Sequence, residues 1–143
     1  MRTVTNLKKI IIVEDSELLH KMYDLIFMRY RSQGTKIIHA YNGQEALGKL
    51  SENPDTELII LDINMPVMSG LEFLQYCKRE QVFQNIPVII ISTEGKEDDT
   101  LRGLKAGAKA YLTKPFDASA LYNLMEQIFT SPAYTQNVQN VNA

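Results

Sequence analysis

The sequence predicts an α/β protein built as a doubly wound parallel sheet of five strands with five helices. Segments rich in β-branched residues alternate five times with segments of helical periodicity. The first, third and fourth strand-like segments are continuously apolar, which is typical of strands buried on both faces. The second and fifth contain polar residues, which places them at the edges. These observations predict the strand order 2-1-3-4-5.

The strand-like segments are short, as strands in such sheets usually are. They cover residues 8–14, 36–41, 57–63, 87–92 and 109–113. The central ones read KKIIIVE, ELIILDI and PVIIIS, whereas the outer ones read KIIHAY and KAYLT. The contrast between the two groups is the reason for assigning the second and fifth strands to the edges.

Capping residues and helical periodicity mark the five predicted helices. The first extends from Ser16 to about residue 32, with apolar side chains repeating along one face. The second and third begin after Asn42 and Ser69, each of which has a glutamate three residues later in a capping-box pattern. The fourth covers 96–106 and has acidic residues in its first turn, where the helix dipole favours them. The last follows Asp117.

The length of 143 residues fits one domain of ordinary size. We expect this domain to cover 1–129. Residues 130–143 are polar, rich in asparagine and glutamine, and without periodicity, which predicts a flexible tail and no output domain.

The composition excludes several classes of function. The formal net charge of -2 gives no basic excess for binding nucleic acid. No apolar run approaches the ~20 residues of a membrane span, and the N-terminus lacks the apolar core of a signal peptide. The single cysteine, Cys77, cannot form an internal disulfide. We therefore expect a soluble, cytoplasmic protein.

Chemically active side chains follow four of the five predicted strands. Glu14 and Asp15 end the first strand, Asp62 the third and Ser92 the fourth, and Lys114 follows the fifth. In parallel sheets of this kind, ligands bind beyond the carboxyl ends of the strands. Each residue alone has a structural interpretation, such as a helix cap or a solvated lysine. Their joint placement predicts a functional site.

The three carboxylates predict a divalent metal ion at this edge of the sheet. Neighbouring strands lie about 4.8 Å apart, so carboxylates that end adjacent strands repel each other unless a cation lies between them. Oxygen ligands with few protein donors suit Mg²⁺, which also binds phosphoryl oxygens. No nearby histidine or cysteine motif favours a softer metal.

Four motifs resemble the receiver (CheY-like) domains of two-component signalling. The segment LDINMPVMSGLEFL, residues 61–74, is similar to the phosphoacceptor segment of that family. VEDS (13–16), PVIIIS (87–92) and KPF (114–116) follow in the order and spacing of the family. The resemblance covers about 8–129 and implies the flavodoxin-like form of the predicted fold.

The resemblance implies a role for each residue of the predicted site. Asp62 would be the phosphoacceptor, and the switch residues would be Ser92, Lys114 and Tyr111, with a cis bond from Lys114 to Pro115. The metal ligands would be Glu14, Asp15, Asp62 and the backbone carbonyl of Asn64. Mg²⁺ would be the metal, with Mn²⁺ as a substitute. The residues that modulate the lifetime of the phosphoryl group would be Asn64, Thr93 and Glu94.

The implied function is that of a stand-alone response regulator rather than an enzyme. Its only chemistry would be self-phosphorylation and autodephosphorylation, and the donor would be a sensor histidine kinase or histidine phosphotransfer protein. Phosphorylation would switch the surface of the fourth predicted helix, fifth strand and fifth predicted helix for an unknown downstream protein. The chain would be a monomer or a phosphorylation-dependent homodimer, without nucleic-acid or membrane partners.

The same residues leave three alternative functions. A pseudo-receiver would bind partners without phosphorylation, against which the intact acidic set argues. An aspartate-nucleophile phosphatase would need a second acid at position 64, which is Asn64, and its nucleophile would end the first strand. A flavin-binding module would need a phosphate-binding loop where residues 14–17 read EDSE. His20 and His39 have no phosphotransfer motif, and we interpret both as structural.

Overall fold

A computed structural model describes residues 6–131 and 133–136. Its five strands form one parallel sheet in the order β2-β1-β3-β4-β5, which confirms the predicted topology. The strands are β1 (Lys9–Val13), β2 (Lys36–Ala40), β3 (Leu58–Asp62), β4 (Val88–Ser92) and β5 (Ala110–Thr113).

The described residues contain six helices rather than the five predicted. They are α1 (Glu17–Ile26), α2 (Met28–Ser32), α3 (Gly43–Glu52), α4 (Gly70–Glu80), α5 (Glu97–Lys105) and α6 (Ala118–Thr130). In the part of the chain that the structure describes, no helix is both long and apolar enough to cross a membrane.

The additional helix arises because the first predicted helix is interrupted at Phe27. The backbone of Phe27 has φ −96° and ψ 14°, outside the helical range, so α1 ends before it and α2 begins after it. The Phe27 side chain is fully buried, and its ring packs edge-on against Tyr30. The interruption lets Tyr23, Phe27 and Tyr30 all reach the core beneath α1 and α2.

The sheet separates two apolar layers. Along β1, Ile10 and Ile12 face the layer covered by α1, α2 and α6, whereas Ile11 and Val13 face the layer covered by α3, α4 and α5. Every residue of β3 and β4 is buried. Burial on both faces explains why these strands are continuous apolar runs in the sequence.

The start of the predicted tail is attached to the sheet. The backbone N–H of Gln136 donates to the carbonyl oxygen of Lys109 (2.8 Å), and the N–H of Tyr111 donates to Oε1 of Gln136 (2.7 Å). Tyr134 is half-buried against the α1, α2 and α6 layer. Because β5 is an edge strand, these bonds satisfy backbone groups that no strand covers. Residues 132 and 137–143 lie outside the described residues.

Gln136→Ala is expected to accelerate hydrogen exchange at the Tyr111 amide, because it removes the oxygen that accepts this hydrogen bond. A loss of about 1 kcal/mol corresponds to an increase of roughly fivefold. Amide exchange followed by NMR measures it. Gln127→Ala, on an exposed position of α6, is the control. An unchanged Tyr111 rate in Gln136→Ala would contradict the attachment.

Candidate functional site

The strand register brings the predicted site residues to one edge of the sheet. Val13 pairs with Leu61, so Glu14 and Asp62 follow side by side at the ends of β1 and β3. Asp62 pairs with Ile91, which places Ser92 next to it at the end of β4. This is the carboxyl edge of the sheet, where ligands bind in folds of this kind.

Three carboxylates form a compact cluster at this edge. One oxygen each of Glu14, Asp15 and Asp62 lies within 4.8 Å of the others. Glu14 and Asp62 are 2% and 3% exposed, whereas Asp15 is exposed. The N-cap of α1 is Ser16, whose side chain accepts from the N–H of Leu19 (3.2 Å), so Asp15 does not cap the helix. The cluster is therefore not explained by helix capping.

The Oδ1 atom of Asp62 is the feature that most directly indicates a ligand. It is buried and has no hydrogen-bond partner among the described residues. Leaving a buried carboxylate oxygen unsatisfied is costly, so such an atom needs an explanation. An all-oxygen set of donors around it has the ligand chemistry that Mg²⁺ prefers. The residues present thus fit a magnesium ion.

Lys114 supplies the positive charge of the site. Its Nζ lies 3.1 Å from Oε1 of Glu14 and 3.6 Å from Oδ1 of Asp62. The second distance is too long for a good hydrogen bond. One ammonium group therefore does not compensate three carboxylates. The peptide bond from Lys114 to Pro115 is cis, as expected.

Burial disfavours the charged forms of both buried carboxylates. The pKa of Glu14 is raised to about 7. Burial is the main cause of this increase, and the negative charge of Asp62 is the second. Burial likewise raises the pKa of Asp62, against the opposing effects of Lys114 and of a hydrogen bond from the Asn64 backbone. A proton on Glu14 would therefore compete with a metal ion near neutral pH.

The affinity of the site for Mg²⁺ is expected to rise about tenfold between pH 6 and pH 8. Metal binding requires the ionised carboxylate, and Glu14 loses its proton through a pKa of about 7. Titration of amide NMR shifts with Mg²⁺ at several pH values measures the dissociation constant. In Glu14→Gln this pH dependence should become weaker. A flat profile in the wild type would show that Glu14 does not exchange a proton for the ion between pH 6 and pH 8.

The remaining predicted residues surround the cluster at different depths. Ser92 is buried, Thr93 and Tyr111 are half-buried, and Asn64 and Glu94 are exposed. Tyr111 lies on β5 and packs against the layer of α3, α4 and α5. The structure therefore brings Glu14, Asp15, Asp62 and Lys114 together, with Ser92 at the same edge.

His20 also lies at this edge of the sheet, and no motif in the sequence predicts its contact with the site. His20 is buried on α1, and its Nε2 donates to the backbone carbonyl oxygen of Glu14 (2.6 Å). His39 on β2 contacts the other ring nitrogen of His20. Nineteen residues separate the two histidines, and neither belongs to a spaced motif, so only the fold shows that they are in contact.

The fold and this site together define a class of protein: an α/β domain with a cluster of acidic residues, suited to hold a metal ion, at the carboxyl edge of its sheet. The family model described as "Response regulator receiver domain" matches residues 10–126. The chain belongs to this family and is a CheY-like receiver. CheY-like receivers are signalling switches, and membership in the family implies phosphorylation-based signalling. Receivers of this family bind Mg²⁺ at an acidic site and interact with histidine kinases and downstream targets.

Individual relatives agree with this assignment. Chemotaxis protein CheY1 of Helicobacter pylori is 33% identical over 120 residues, which cover 84% of this chain and 95% of that protein. The chemotaxis protein CheY homolog of Campylobacter jejuni is 31% identical, with 84% and 91% covered. A receiver domain structure from Clostridium thermocellum superposes with a TM-score of 0.77 at 25% identity, covering 88% of this chain and 97% of that one.

Proposed function

We propose that this chain is a response regulator in which Asp62 accepts a phosphoryl group from a phosphohistidine. The donor is a sensor histidine kinase or a histidine phosphotransfer protein. The observation that carries the proposal is the unsatisfied, buried Oδ1 of Asp62 beside Lys114 and two further carboxylates. A carboxylate in this position is available as a nucleophile.

The proposed reaction is a direct displacement at phosphorus. A carboxylate oxygen of Asp62 forms the new O–P bond while the N–P bond of the phosphohistidine breaks, and the bonding pair stays on the imidazole nitrogen. The Lys114 ammonium neutralises charge on the transferring group. Mg²⁺, held by Glu14, Asp15, Asp62 and the Asn64 carbonyl, would supply further neutralisation of the phosphoryl oxygens.

The proposed switch leads from the site to the neighbouring edge of the sheet. The Ser92 hydroxyl at the end of β4 donates to a phosphoryl oxygen, and Tyr111 on β5 moves inward in response. This changes the surface formed by α5, β5 and α6, where a downstream protein binds. Asn64, Thr93 and Glu94 in the adjoining loops affect how long the phosphoryl group persists.

The direct test is the intact mass of the protein after incubation with acetyl phosphate and Mg²⁺. Wild type should gain one phosphoryl group, and omission of Mg²⁺ should prevent the gain. Asp62→Asn should not be labelled. An unlabelled wild type, under conditions that label another receiver, would overturn the proposal for small donors. A phosphorylated histidine phosphotransfer domain would then be the second donor to test.

The surface beside the site suits a protein donor. Leu18 and Leu25 lie on one face of α1, two helical turns apart, and are 74% and 67% exposed. An adjoining apolar cavity of about 390 Å³ is lined by Leu19, Met22, Lys114, Pro115 and Phe116. We infer that the phosphohistidine protein covers this face of α1 when it presents its phosphoryl group to Asp62.

The double substitution of Leu18 and Leu25 by serine is expected to slow transfer from a phosphorylated histidine phosphotransfer domain by tenfold or more. That figure corresponds to about 1.4 kcal/mol of lost binding energy, within the range for two apolar side chains. Labelling by acetyl phosphate should be unchanged, because the small donor does not use this surface. Rapid-quench kinetics with both donors measure the effect. Equal rates for the variant and the wild type with the protein donor would exclude this docking face.

A further inference from the structure

Both the backbone and the side chain of Glu14 are fixed by hydrogen bonds. Its N–H donates to the carbonyl oxygen of Ala40 on β2 (3.0 Å). Its side chain accepts from the N–H of Ser16 at Oε2 (3.0 Å) and from Lys114 at Oε1 (3.1 Å). Its carbonyl oxygen accepts from Nε2 of His20 (2.6 Å). That carbonyl belongs to the peptide group joining Glu14 to Asp15, the two adjacent acidic residues of the site.

His20 is itself the middle of a chain of hydrogen bonds. A carbonyl oxygen only accepts, so Nε2 of His20 carries a proton. The other ring nitrogen of His20, Nδ1, lies 2.5 Å from Nδ1 of His39. A proton on one of these two nitrogens makes the contact a hydrogen bond between the rings. On its other side, Nε2 of His39 donates to Oδ1 of Asp24 (2.9 Å).

Ring packing further restricts His20. Its ring is edge-on to that of His39, with centroids 4.6 Å apart, and it is tilted against Tyr41 at 4.3 Å. Both of its nitrogens are used and its side chain is 2% exposed. The Nε2 donor is therefore fixed in direction, and the peptide group that it contacts has little freedom to rotate.

We propose that His20 is a positioning residue that orients the peptide group between Glu14 and Asp15, so that both carboxylates are preorganised for Mg²⁺. His39 and Asp24 hold its ring in the required orientation. This inference rests on the proposed metal site and adds a residue that does not touch the metal. Partners that orient ligands from outside the coordination sphere typically change metal affinity by about 10–100-fold.

The test compares two substitutions of His20 by their dissociation constants for Mg²⁺ at pH 8. His20→Leu fills similar space without a donor, and we expect it to weaken binding about tenfold. His20→Gln places an amide nitrogen near the position of Nε2, and we expect a dissociation constant within about twofold of wild type. Cys77→Ala, a buried substitution in the opposite apolar layer, controls for general loss of stability. The chain has no tryptophan, so amide NMR shifts are the readout.

Two results would overturn the proposal: unchanged Mg²⁺ affinity in His20→Leu, or equal weakening in His20→Leu and His20→Gln. The second would show that the imidazole ring matters through packing and not as a donor. Circular dichroism confirms that each variant is folded. Acetyl phosphate labelling of the same wild-type sample reports on Asp62 separately. Failure of phosphorylation is therefore distinguishable from failure of the His20 inference, which depends on metal affinity alone.

Discussion

Glu14→Gln is expected to raise the free energy of unfolding of the metal-free protein at pH 8 by as much as about 3 kcal/mol. The folded-state pKa of Glu14 is raised from 4.5 to about 7, and each unit corresponds to about 1.4 kcal/mol. The folded protein therefore binds this proton more tightly than the unfolded chain does. The associated stability is fully present below about pH 4.5 and is lost as the pH rises through about 7. Glutamine imitates the neutral form at every pH.

Chemical denaturation at pH 5 and pH 8, with and without Mg²⁺, measures this effect. The advantage of Glu14→Gln should be small at pH 5, where the wild-type side chain is protonated. It should also shrink in saturating Mg²⁺ at pH 8, because the ion stabilises only a wild-type site that binds it well. Glu52→Gln, an exposed position at the end of α3, changes the net charge equally and should have little effect. A destabilised Glu14→Gln at pH 8 would show that the ion pair with Lys114 outweighs burial.

This expected gain indicates that the acidic cluster is kept at a cost to stability. Glu14 and Asp62 are buried beside each other, and one ammonium group lies near both. Such an arrangement is typical of functional sites, where pKa values are displaced for a chemical purpose. The same electrostatic strain that destabilises the metal-free fold favours binding of a divalent cation.

The sheet and most of the site could be predicted because their signals are local. Continuous β-branched runs specify strands buried on both faces, and strand order then determines which strand ends meet. Glu14, Asp62, Ser92 and Lys114 could therefore be placed together from position alone. Asn42 and Ser69 cap their helices as predicted, accepting from the N–H of the residue three positions later.

The features that were not predicted depend on tertiary packing. Residues 17–32 contain neither glycine nor proline, so nothing in the sequence marks the interruption at Phe27. It forms because three aromatic side chains are buried under one short segment. The contact between His20 and His39 joins α1 to β2. The bonds of Gln136 to β5 involve a segment whose polar composition resembles that of an unattached tail.

The glycine of the phosphoacceptor-like segment gives the second large expected effect. Gly70 is the first residue of α4, and its N–H donates to the carbonyl oxygen of Ile63 (3.2 Å). A Cβ at this position would lie 2.2 Å from the carbonyl oxygen of Asp62 and 2.9 Å from Cα of Ile63. Both atoms are backbone, so a rotamer change cannot relieve the clash. Gly70→Ala must displace either α4 or the end of β3.

We expect Gly70→Ala to destabilise the protein by about 3 kcal/mol, at the upper end of the range for overpacking a buried position. Gly48→Ala is the matched control, because a Cβ at that exposed position of α3 meets nothing within 4 Å. It should stabilise the fold by about 0.5–1 kcal/mol, the ordinary gain from replacing glycine inside a helix. Opposite signs for the same chemical change, measured by denaturant unfolding, would assign the difference to the backbone of Asp62.

Gly70→Ala should also weaken Mg²⁺ binding in molecules that remain folded. The carbonyl oxygen that the new methyl group would strike belongs to Asp62 itself, so relief of the clash moves the carboxylate relative to Glu14 and Asp15. Gly48→Ala should leave the dissociation constant unchanged. If Gly70→Ala lost stability but kept full Mg²⁺ affinity, α4 would have moved and β3 would not. Close approach of α4 to β3 would then matter for folding alone, and the geometry of the acidic cluster would not depend on it.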